Sequence, residues 1–93
     1  MRFIWKEEKN DLLKQHREIS FEQIVLSIEN NKIIDVMEHP NQKKYKGQIF
    51  ILVEINNYVY IVPASISASG EECNLITIYP SRKYTNKYLG DKK

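Results

Sequence analysis

The spacing of apolar residues is most regular just after the first twenty residues of the chain. Phe21, Ile24, Val25 and Ile28 follow i, i+3, i+4, i+7 spacing, which places four apolar side chains on one face of a helix. Ser20 comes directly before them and is a natural N-cap residue. The pattern predicts an amphipathic helix whose apolar stripe faces a core.

The ends of this helix and the segment before it are also indicated by residue type. Gln23 stands three residues after the cap, as in a capping box, and Asn30-Asn31 predicts the end, because Asn tolerates the left-handed conformation found there. Residues 6–16 are polar, helix-forming and anchored by Leu12 and Leu13, so they predict an earlier helix.

Four later segments and the opening residues read as strands. Residues 32–38 form one candidate, and residues 73–79 form the last. Residues 49–55 and 58–62 are rich in β-branched and aromatic side chains and flank Asn56-Asn57, which predicts a hairpin with a type I′ turn. The opening MRFIW alternates only loosely and is compatible with a short first strand.

The strand at residues 49–55 is apolar on both of its faces. Ile51 and Val53 share one face, and Phe50 and Leu52 share the other, which predicts a central strand covered by the helices and by a partner. We therefore expect an α+β fold, with two helices packed on a small antiparallel sheet of three to four strands and a basic tail after it.

Composition and length favour a single small globular domain spanning residues 1–93. The chain of 93 residues is 42% hydrophobic and 28% charged, enough for one modest core. It has no apolar run near the ~18 residues that a membrane span requires, and no apolar region typical of a signal peptide. With the single Cys73, these features predict a cytoplasmic protein without disulfides.

The small net charge of +2 is unevenly distributed along the chain. Residues 1–40 carry six Lys or Arg against eight Asp or Glu, whereas residues 41–93 carry eight against four. The excess lies in KKYK at 43–46, the loop basic cluster, in RKYTNK at 82–87, and in the Lys92-Lys93 end. Such asymmetry indicates an anionic partner, although lysines that only solvate loops give the same pattern.

Several kinds of catalytic site lack support in the sequence. His16, His39 and Cys73 show no metal-binding spacing, no glycine-rich phosphate loop is present, and no GxSxG motif supports a serine triad. We expect neither a metal nor a cofactor. Metal-independent RNA cleavage remains, because the 2′-OH of RNA is a built-in nucleophile that needs a base, charge-stabilising cations and an acid.

Candidate residues for such chemistry are a cation that matches phosphate, a histidine and a carboxylate. Arg82 fits phosphate geometrically, His16 can transfer protons near neutral pH, and Glu54 interrupts an otherwise apolar strand. Tyrosines beside cations can stack on unpaired bases. The candidates are, as catalytic residues, Arg82, His16, Arg17 and Glu54, and, as RNA-binding residues, Lys83, Tyr84, Lys87, Tyr88, Lys43 and Lys44.

Each candidate also has a purely structural explanation. Charged residues at a sheet edge protect many proteins against aggregation, and Arg82 and Lys83 can have this role. Glu54 can simply face solvent. Tyr84 and Tyr88 are four residues apart, so on a short helix they would share a face and pack on the core. His16 and Arg17 complement the dipole at the end of the first helix.

FIWKEEKNDLLKQHREISFEQ, near the start of the chain, and ITIYPSRKYT, near its end, resemble two motifs of the BrnT-type toxins of bacterial toxin–antitoxin modules. FIWKEEKNDLLKQHREISFEQ resembles the family's opening, which reads F-x-W/F, then Lys and Asn on a helix, Lys-His-Gly and I/V-S-F-E. ITIYPSRKYT at 76–85 resembles its apolar last strand followed by Ser/Pro-x-Arg-Lys-Ala-Thr. The helix–helix–strand order between them is also similar.

The resemblance implies a small toxin with a RelE-like fold that cleaves RNA without a metal. It also implies a cognate antitoxin of the ribbon-helix-helix DNA-binding type, and so a possible hetero-oligomer. Arg82 and Lys83 fall on the family's Arg-Lys, and Thr85 on its Thr. The chain departs at the Lys-His-Gly, which reads His16-Arg17-Glu18 here, and at a basic position of the last strand, which aligns with Thr77 or Ile76.

These departures leave a second interpretation open. In it, the chain is a catalytically inert RelE-like module whose function is protein binding, and the two-sided apolar strand at 49–55 seats a partner. Growth arrest on expression in bacteria separates the toxin from the inert module.

Overall fold

The computed structural model describes residues 1–90, so the Lys92-Lys93 end lies outside the described part of the chain. The described residues form an α+β fold, in the order β1 (Arg2–Ile4), α1 (Glu7–Arg17), α2 (Phe21–Glu29), β2 (Ile33–Glu38), β3 (Gln48–Ile55), β4 (Tyr58–Ile66), β5 (Glu72–Leu75), β6 (Tyr79–Pro80) and α3 (Arg82–Leu89). None of these helices is long and apolar enough to cross a membrane.

The sheet is larger than the sequence predicts, because six strands take part instead of three or four. The strand order is β1-β5-β4-β3-β2, and β6 pairs with β4 beside β5. The β1–β5 pair is parallel and the other pairs are antiparallel. The opening residues add an edge strand, and the predicted strand at 73–79 is divided into β5 and β6.

Pro63 in β4 accounts for this division. Proline has no backbone N–H, so it cannot donate to a strand beside it. β5 pairs with Ala64–Ile66 on one side of Pro63, and β6 pairs with Tyr60 and Ile61 on the other. Pro63 therefore takes part on this side only as an acceptor: its carbonyl accepts a hydrogen bond from the N–H of Ile76 at 2.9 Å. The chain therefore leaves the ladder between the two short strands.

Helix α2 begins with the capping box that its sequence predicts. The hydroxyl of Ser20 accepts the N–H of Gln23 at 3.2 Å, and the Gln23 side-chain oxygen accepts the N–H of Ser20 at 2.9 Å. Asn31, just past the helix, has φ 61°. The predicted start and end of α2 are thus confirmed.

The fully buried Asn10 connects α1 to the first turn of α2. Its side-chain oxygen accepts the N–H of Phe21 at 2.8 Å, and its side-chain nitrogen donates to Glu22 at 2.8 Å. Phe21 itself is fully buried and stacks on Trp5, with ring centroids 5.5 Å apart. The helical Asn and the Ser-Phe-Glu motif therefore hold the two helices together.

The hairpin between β3 and β4 forms as predicted. Asn56 has φ 52° and Asn57 has φ 64°, and a type I′ turn requires positive φ at both of these positions. The register that follows places Ile55 opposite Tyr58 and Phe50 opposite Pro63.

The protein's own helices cover both faces of β3. Ile51 and Val53 belong to a core with Leu13 and Ile24, on the face covered by α1 and α2. The opposite face carries a second core of Phe50, Leu52, Val59 and Ile61, against which Tyr84, Tyr88 and Leu89 pack. The prediction that a partner covers this second face was wrong, because the predicted basic tail forms α3 there.

Helix α3 is joined to β4 through Ser81 and Thr85. Ser81 caps the helix by accepting the N–H of Tyr84 at 3.1 Å, and its own N–H donates to the carbonyl of Val59 at 2.9 Å. The Thr85 hydroxyl donates to the Ser81 carbonyl at 2.7 Å and accepts the N–H of Val59 at 2.8 Å. The Ser and Thr of the second motif thus fix the helix on the sheet.

Candidate nucleic-acid interface

A cleft of about 580 Å³ opens at the end of the sheet where β1 and β5 finish and β3 begins. Because β1 and β5 are parallel, Lys6 after β1 and Thr77 after β5 arrive at the same edge. The side chains that line it with polar atoms are Lys6, Lys9, His39, Tyr45, Gln48, Asn74, Thr77 and Tyr79. Its volume lies within the ~300–1,000 Å³ typical of ligand sites.

His39 and Tyr45 form one aromatic wall of the cleft. Their rings stack with centroids 4.4 Å apart, and the other neighbour of His39 is Phe50 at 4.6 Å. The Nδ1 atom of His39 accepts the backbone N–H of Asn41 at 3.0 Å. In the neutral ring the proton is therefore on Nε2, which can donate a hydrogen bond to an anion.

Gln42 holds the loop that carries this wall. Its side-chain nitrogen donates to the carbonyls of His39 at 2.8 Å and of Gln48 at 3.1 Å, and its side-chain oxygen accepts the N–H of Gly47 at 3.0 Å. One amide thus ties together the two ends of the loop, and it fixes where Tyr45 and the loop basic cluster stand.

Tyr79 lies on the side of the cleft next to α3. Its ring meets Phe50 edge to face, with centroids 6.4 Å apart. Burial raises the pKa of Tyr79, and the nearby Tyr84 and Tyr45 raise it further. The Tyr79 hydroxyl therefore keeps its proton at neutral pH and can donate a hydrogen bond.

The two basic clusters lie side by side on this face of the sheet. Residues 82–87 lie in α3 and form the helix basic cluster. Tyr45 of the loop basic cluster stacks on His39, and Tyr84 of the helix basic cluster bonds through its hydroxyl to the Met37 sulfur at 3.5 Å. Met37 and His39 are two residues apart along the line of β2, about 7 Å, and point to the same face. Segments almost forty residues apart in sequence thus form one basic surface.

Lysine–tyrosine pairs recur on this surface. Lys44 lies 5.3 Å from the Tyr45 ring centroid, Lys83 lies 5.4 Å from that of Tyr84, and Lys87 lies 5.3 Å from that of Tyr88. Tyr84 and Tyr88 are half-buried against the second core, so their rings support the lysines above them. Of these three tyrosines, Tyr45 also lines the cleft.

Arg82 and Lys83 occupy the first turn of α3 and are exposed. Cations are disfavoured at a helix N-terminus by about 0.3–1 kcal/mol, whereas anions are favoured there. That turn contains no acidic residue, and the ion pairs found within residues 1–90, Arg2–Glu72 and Lys14–Glu22, lie elsewhere. Exposed cations beside free helical N–H groups make a favourable place for a phosphate.

The structure does not bring His16 and Arg17 together with Arg82 on this surface. Both are exposed in the last turn of α1, a helix that packs on the opposite face of the sheet from α3. The dipole of α1 explains cations at that position.

Glu54 lies on the same face as α3 but at the hairpin end of β3. Six residues separate it from Gln48, which is about 20 Å along a strand. It is half-buried, and no ion pair of Glu54 is found among the described residues. The structure therefore does not bring Glu54 to the cleft as a base.

Sequence reasoning missed the cleft residues Lys6, Lys9, His39 and Tyr79. The available signals were weak. His39 directly follows the predicted strand at 32–38, and Lys6 and Lys9 lie in a segment whose net charge is negative. Thr77 and its neighbour Ile76, the two positions with which the resemblance aligns a basic residue, both line the cleft.

An apolar groove of about 170 Å³ lies on the other face of the sheet, beside α2. Its rim includes Val36, Ile66 and Ile33, which are 49%, 46% and 43% exposed. Exposed apolar side chains that adjoin one another in this way are typical of protein contact surfaces.

Comparison of the chain with protein-family models, with curated protein sequences and with solved structures gives no match. The resemblance to BrnT-type toxins thus depends on two sequence motifs. In the structure, the polar residues of both motifs have positional roles: Asn10 and Ser20 organise the helices, and Ser81 and Thr85 fix α3.

Proposed function

We propose that this chain is the toxin of a bacterial toxin–antitoxin module, an RNA-cleaving protein of the RelE-like kind that needs no metal. It works in the cytoplasm and is held inactive by an antitoxin of the ribbon-helix-helix type. The observation that carries the proposal is the meeting of the loop and helix basic clusters beside an aromatic cleft. Cations that track a backbone beside aromatic rings are what single-stranded RNA binding requires.

In this proposal the RNA backbone runs across α3 towards the cleft. Arg82 and Lys83 hold one phosphate at the start of the helix, where the dipole favours an anion. Lys87, Lys43 and Lys44 bind neighbouring phosphates as exposed point charges. Tyr84 and Tyr88 support the surface from below, and Tyr45 with His39 offers the ring on which a base stacks.

Cleavage takes place at the mouth of the cleft, by attack of the 2′-oxygen on the adjacent phosphorus. The 2′-hydroxyl proton passes to a water molecule, and the bond between the phosphorus and the 5′-oxygen breaks. Lys9 and Arg82 stabilise the charge that builds on the phosphate oxygens. The Nε2–H of His39 adds a hydrogen bond to the same oxygens, and the hydroxyl of Tyr79 donates to the departing 5′-oxygen. The cleft thus supplies donors and cations, the groups that stabilise a negatively charged transition state.

The test is incubation of purified protein, free of any partner, with total bacterial RNA in EDTA. We expect cleavage by the wild type and its loss in a variant carrying Arg82→Ala and Lys83→Ala. Lys32→Ala removes an exposed cation outside this surface and is the matched control. Arg17→Ala separates this site from the assignment based on sequence alone, since it lies on the opposite face.

Intact RNA with wild-type protein, both alone and on translating ribosomes, contradicts the proposal. Equal cleavage by the wild type and the double variant places the reaction elsewhere. Loss of cleavage in Arg17→Ala with retention in the double variant restores the site around α1.

The apolar groove beside α2 favours a second candidate, a catalytically inert RelE-like module that binds proteins. Val36, Ile66 and Ile33 offer a partner a ready apolar contact without any reaction. Expression in a bacterial host distinguishes the two functions. The toxin arrests growth and is rescued by its antitoxin, whereas an inert module does neither.

A further inference from the structure

The polar side chains inside the cleft have hydrogen-bonding capacity that the protein does not use. Gln48, Asn74 and Thr77 are half-buried, and no hydrogen bond of their side chains is found within residues 1–90. Gln42, in the adjacent loop, contrasts with them, because its amide makes three bonds to the backbone. Half-buried polar groups of this kind gain free energy when a ligand pairs with them.

The remaining walls of the cleft are flat or apolar. His39 and Tyr45 present stacked rings, while Pro63 and Leu75 contribute apolar surface. A planar ring system with polar atoms only at its edge matches such a lining. The faces of the ligand would contact the aromatic rings and apolar atoms of the cleft, and its edge would bond to the side-chain amides. A nucleobase has this form, and a phosphate does not.

We infer that the cleft holds one unpaired purine of the RNA and reads its edge with Gln48, Asn74 and Thr77. The inference rests on the proposed RNA-binding function and names the class of base that this site selects. Side-chain amides offer a donor next to an acceptor, which matches the N6 and N7 atoms of adenine, and a lysine matches the O6 and N7 atoms of guanine. Lys9 and the two amides line the same cleft, so both purines find partners there.

The division of roles has a measurable consequence. Phosphates bound to Arg82 and Lys83 give affinity without regard to sequence, whereas the cleft gives the preference for a base. Loss of a cleft side chain therefore lowers the preference and leaves the binding of other sequences unchanged. Loss of a surface cation lowers the affinity for every sequence by the same factor.

The experiment measures fluorescence anisotropy with labelled ten-nucleotide RNAs whose 2′-fluoro groups prevent cleavage. The sequences are oligo-U and oligo-U with one central adenine, guanine, cytosine or abasic residue. We expect the adenine or guanine oligomer to bind at least tenfold more tightly than oligo-U or the abasic oligomer. Thr77→Val and Gln48→Ala reduce this ratio to below threefold and leave oligo-U binding within twofold of wild type.

Two controls keep the outcomes distinct. Gln15→Ala removes an exposed amide from α1, away from the cleft, and retains the full ratio. Lys83→Ala weakens all oligomers alike. Equal binding of all five oligomers by the wild type overturns the purine site while the proposed RNA binding stands. Absence of binding to every oligomer overturns both, and thermal unfolding of each variant verifies that it remains folded.

Discussion

The hydroxyl of Tyr88 donates a hydrogen bond to Oδ2 of Asp35, across 3.0 Å, and so connects the last turn of α3 to the edge strand β2. The second oxygen of the same carboxylate accepts the backbone N–H of Val36 at 2.8 Å. An edge strand with free N–H groups is a template for unwanted pairing. Asp35 thus does two things at once: it anchors the helix that carries the basic surface, and it occupies a donor on the open edge.

This hydrogen bond predicts how stability depends on pH. The hydrogen bond to Asp35, followed by burial, raises the pKa of Tyr88 above its ordinary value. The folded protein therefore holds this proton more tightly than the unfolded chain does. The resulting stabilisation is fully present below the unfolded pKa of about 10 and is lost as pH rises through the higher folded pKa.

Thermal unfolding measured from about pH 8 to pH 11 tests this expectation. We expect Tyr88→Phe to have a lower melting temperature than wild type at pH 8, and the difference to shrink as pH increases past 10. Tyr58→Phe is the control, because no side-chain hydrogen bond of Tyr58 is found among residues 1–90. A constant difference between Tyr88→Phe and wild type across the whole range contradicts the linkage.

Replacement of Asn10 is expected to loosen the connection between α1 and α2. Asn10→Ala leaves the buried N–H of Phe21 without its acceptor, which costs about 1–3 kcal/mol of unfolding free energy. The hydrogen bond from Asn10 is also the main cause that lowers the pKa of Glu22, so this pKa moves back towards its ordinary value in the variant. Urea unfolding measures the first effect, and an NMR titration of the carboxyl groups measures the second.

The exposed Asn86 in α3 supplies the matched comparison for Asn10. Asn86→Ala should change the unfolding free energy by less than about 0.5 kcal/mol. If Asn10→Ala were as stable as Asn86→Ala, the connection through Asn10 would have no energetic importance.

The hydroxyl of Thr85 is expected to contribute more to the free energy of unfolding than the size of the Thr85 side chain does. Thr85→Val keeps the shape of the side chain but leaves the N–H of fully buried Val59 without an acceptor, at a cost of about 1–3 kcal/mol. Thr85→Ser keeps the hydroxyl and should retain more of the stability than Val does. Urea unfolding of the two variants gives the comparison, and a valine variant more stable than the serine variant contradicts this role.

Local chemistry was sufficient to predict the elements whose causes lie within a few residues. The capping box at Ser20 and the turn at Asn56-Asn57 formed as expected, because a cap and a type I′ turn are decided by adjacent residues. The division of the last strand was not predictable in this way. It depends on Pro63, which lies more than ten residues earlier in the chain and becomes its neighbour only in the sheet.

The candidate site shows the same limit. Charge asymmetry draws attention to Lys44 and Lys83, but nothing in the sequence says that they share a face of the sheet. That depends on contacts of Met37 and His39, which belong to neither cluster. Lys9 and Thr77 were likewise separated by most of the chain, and they meet only because β1 and β5 run parallel.

The shared basic surface predicts a specific dependence of RNA binding on salt. Each phosphate contact to a single strand contributes about −0.7 to the slope of log affinity against log salt concentration. Lys83→Gln and Lys44→Gln should therefore each reduce the magnitude of this slope by about 0.7. The double variant should reduce it by about 1.4, because in the proposed function one RNA strand contacts both clusters. Fluorescence anisotropy of labelled oligo-U at several salt concentrations measures these slopes.

Lys32→Gln serves as the control, since Lys32 is exposed between α2 and β2 and contributes to neither cluster. Its slope should equal that of the wild type. An effect of Lys83→Gln without any effect of Lys44→Gln would restrict the RNA to α3 and exclude a strand that crosses both clusters. Equal slopes for the wild type and all variants would show that these lysines do not contact phosphate, and the basic surface would then need another anionic partner.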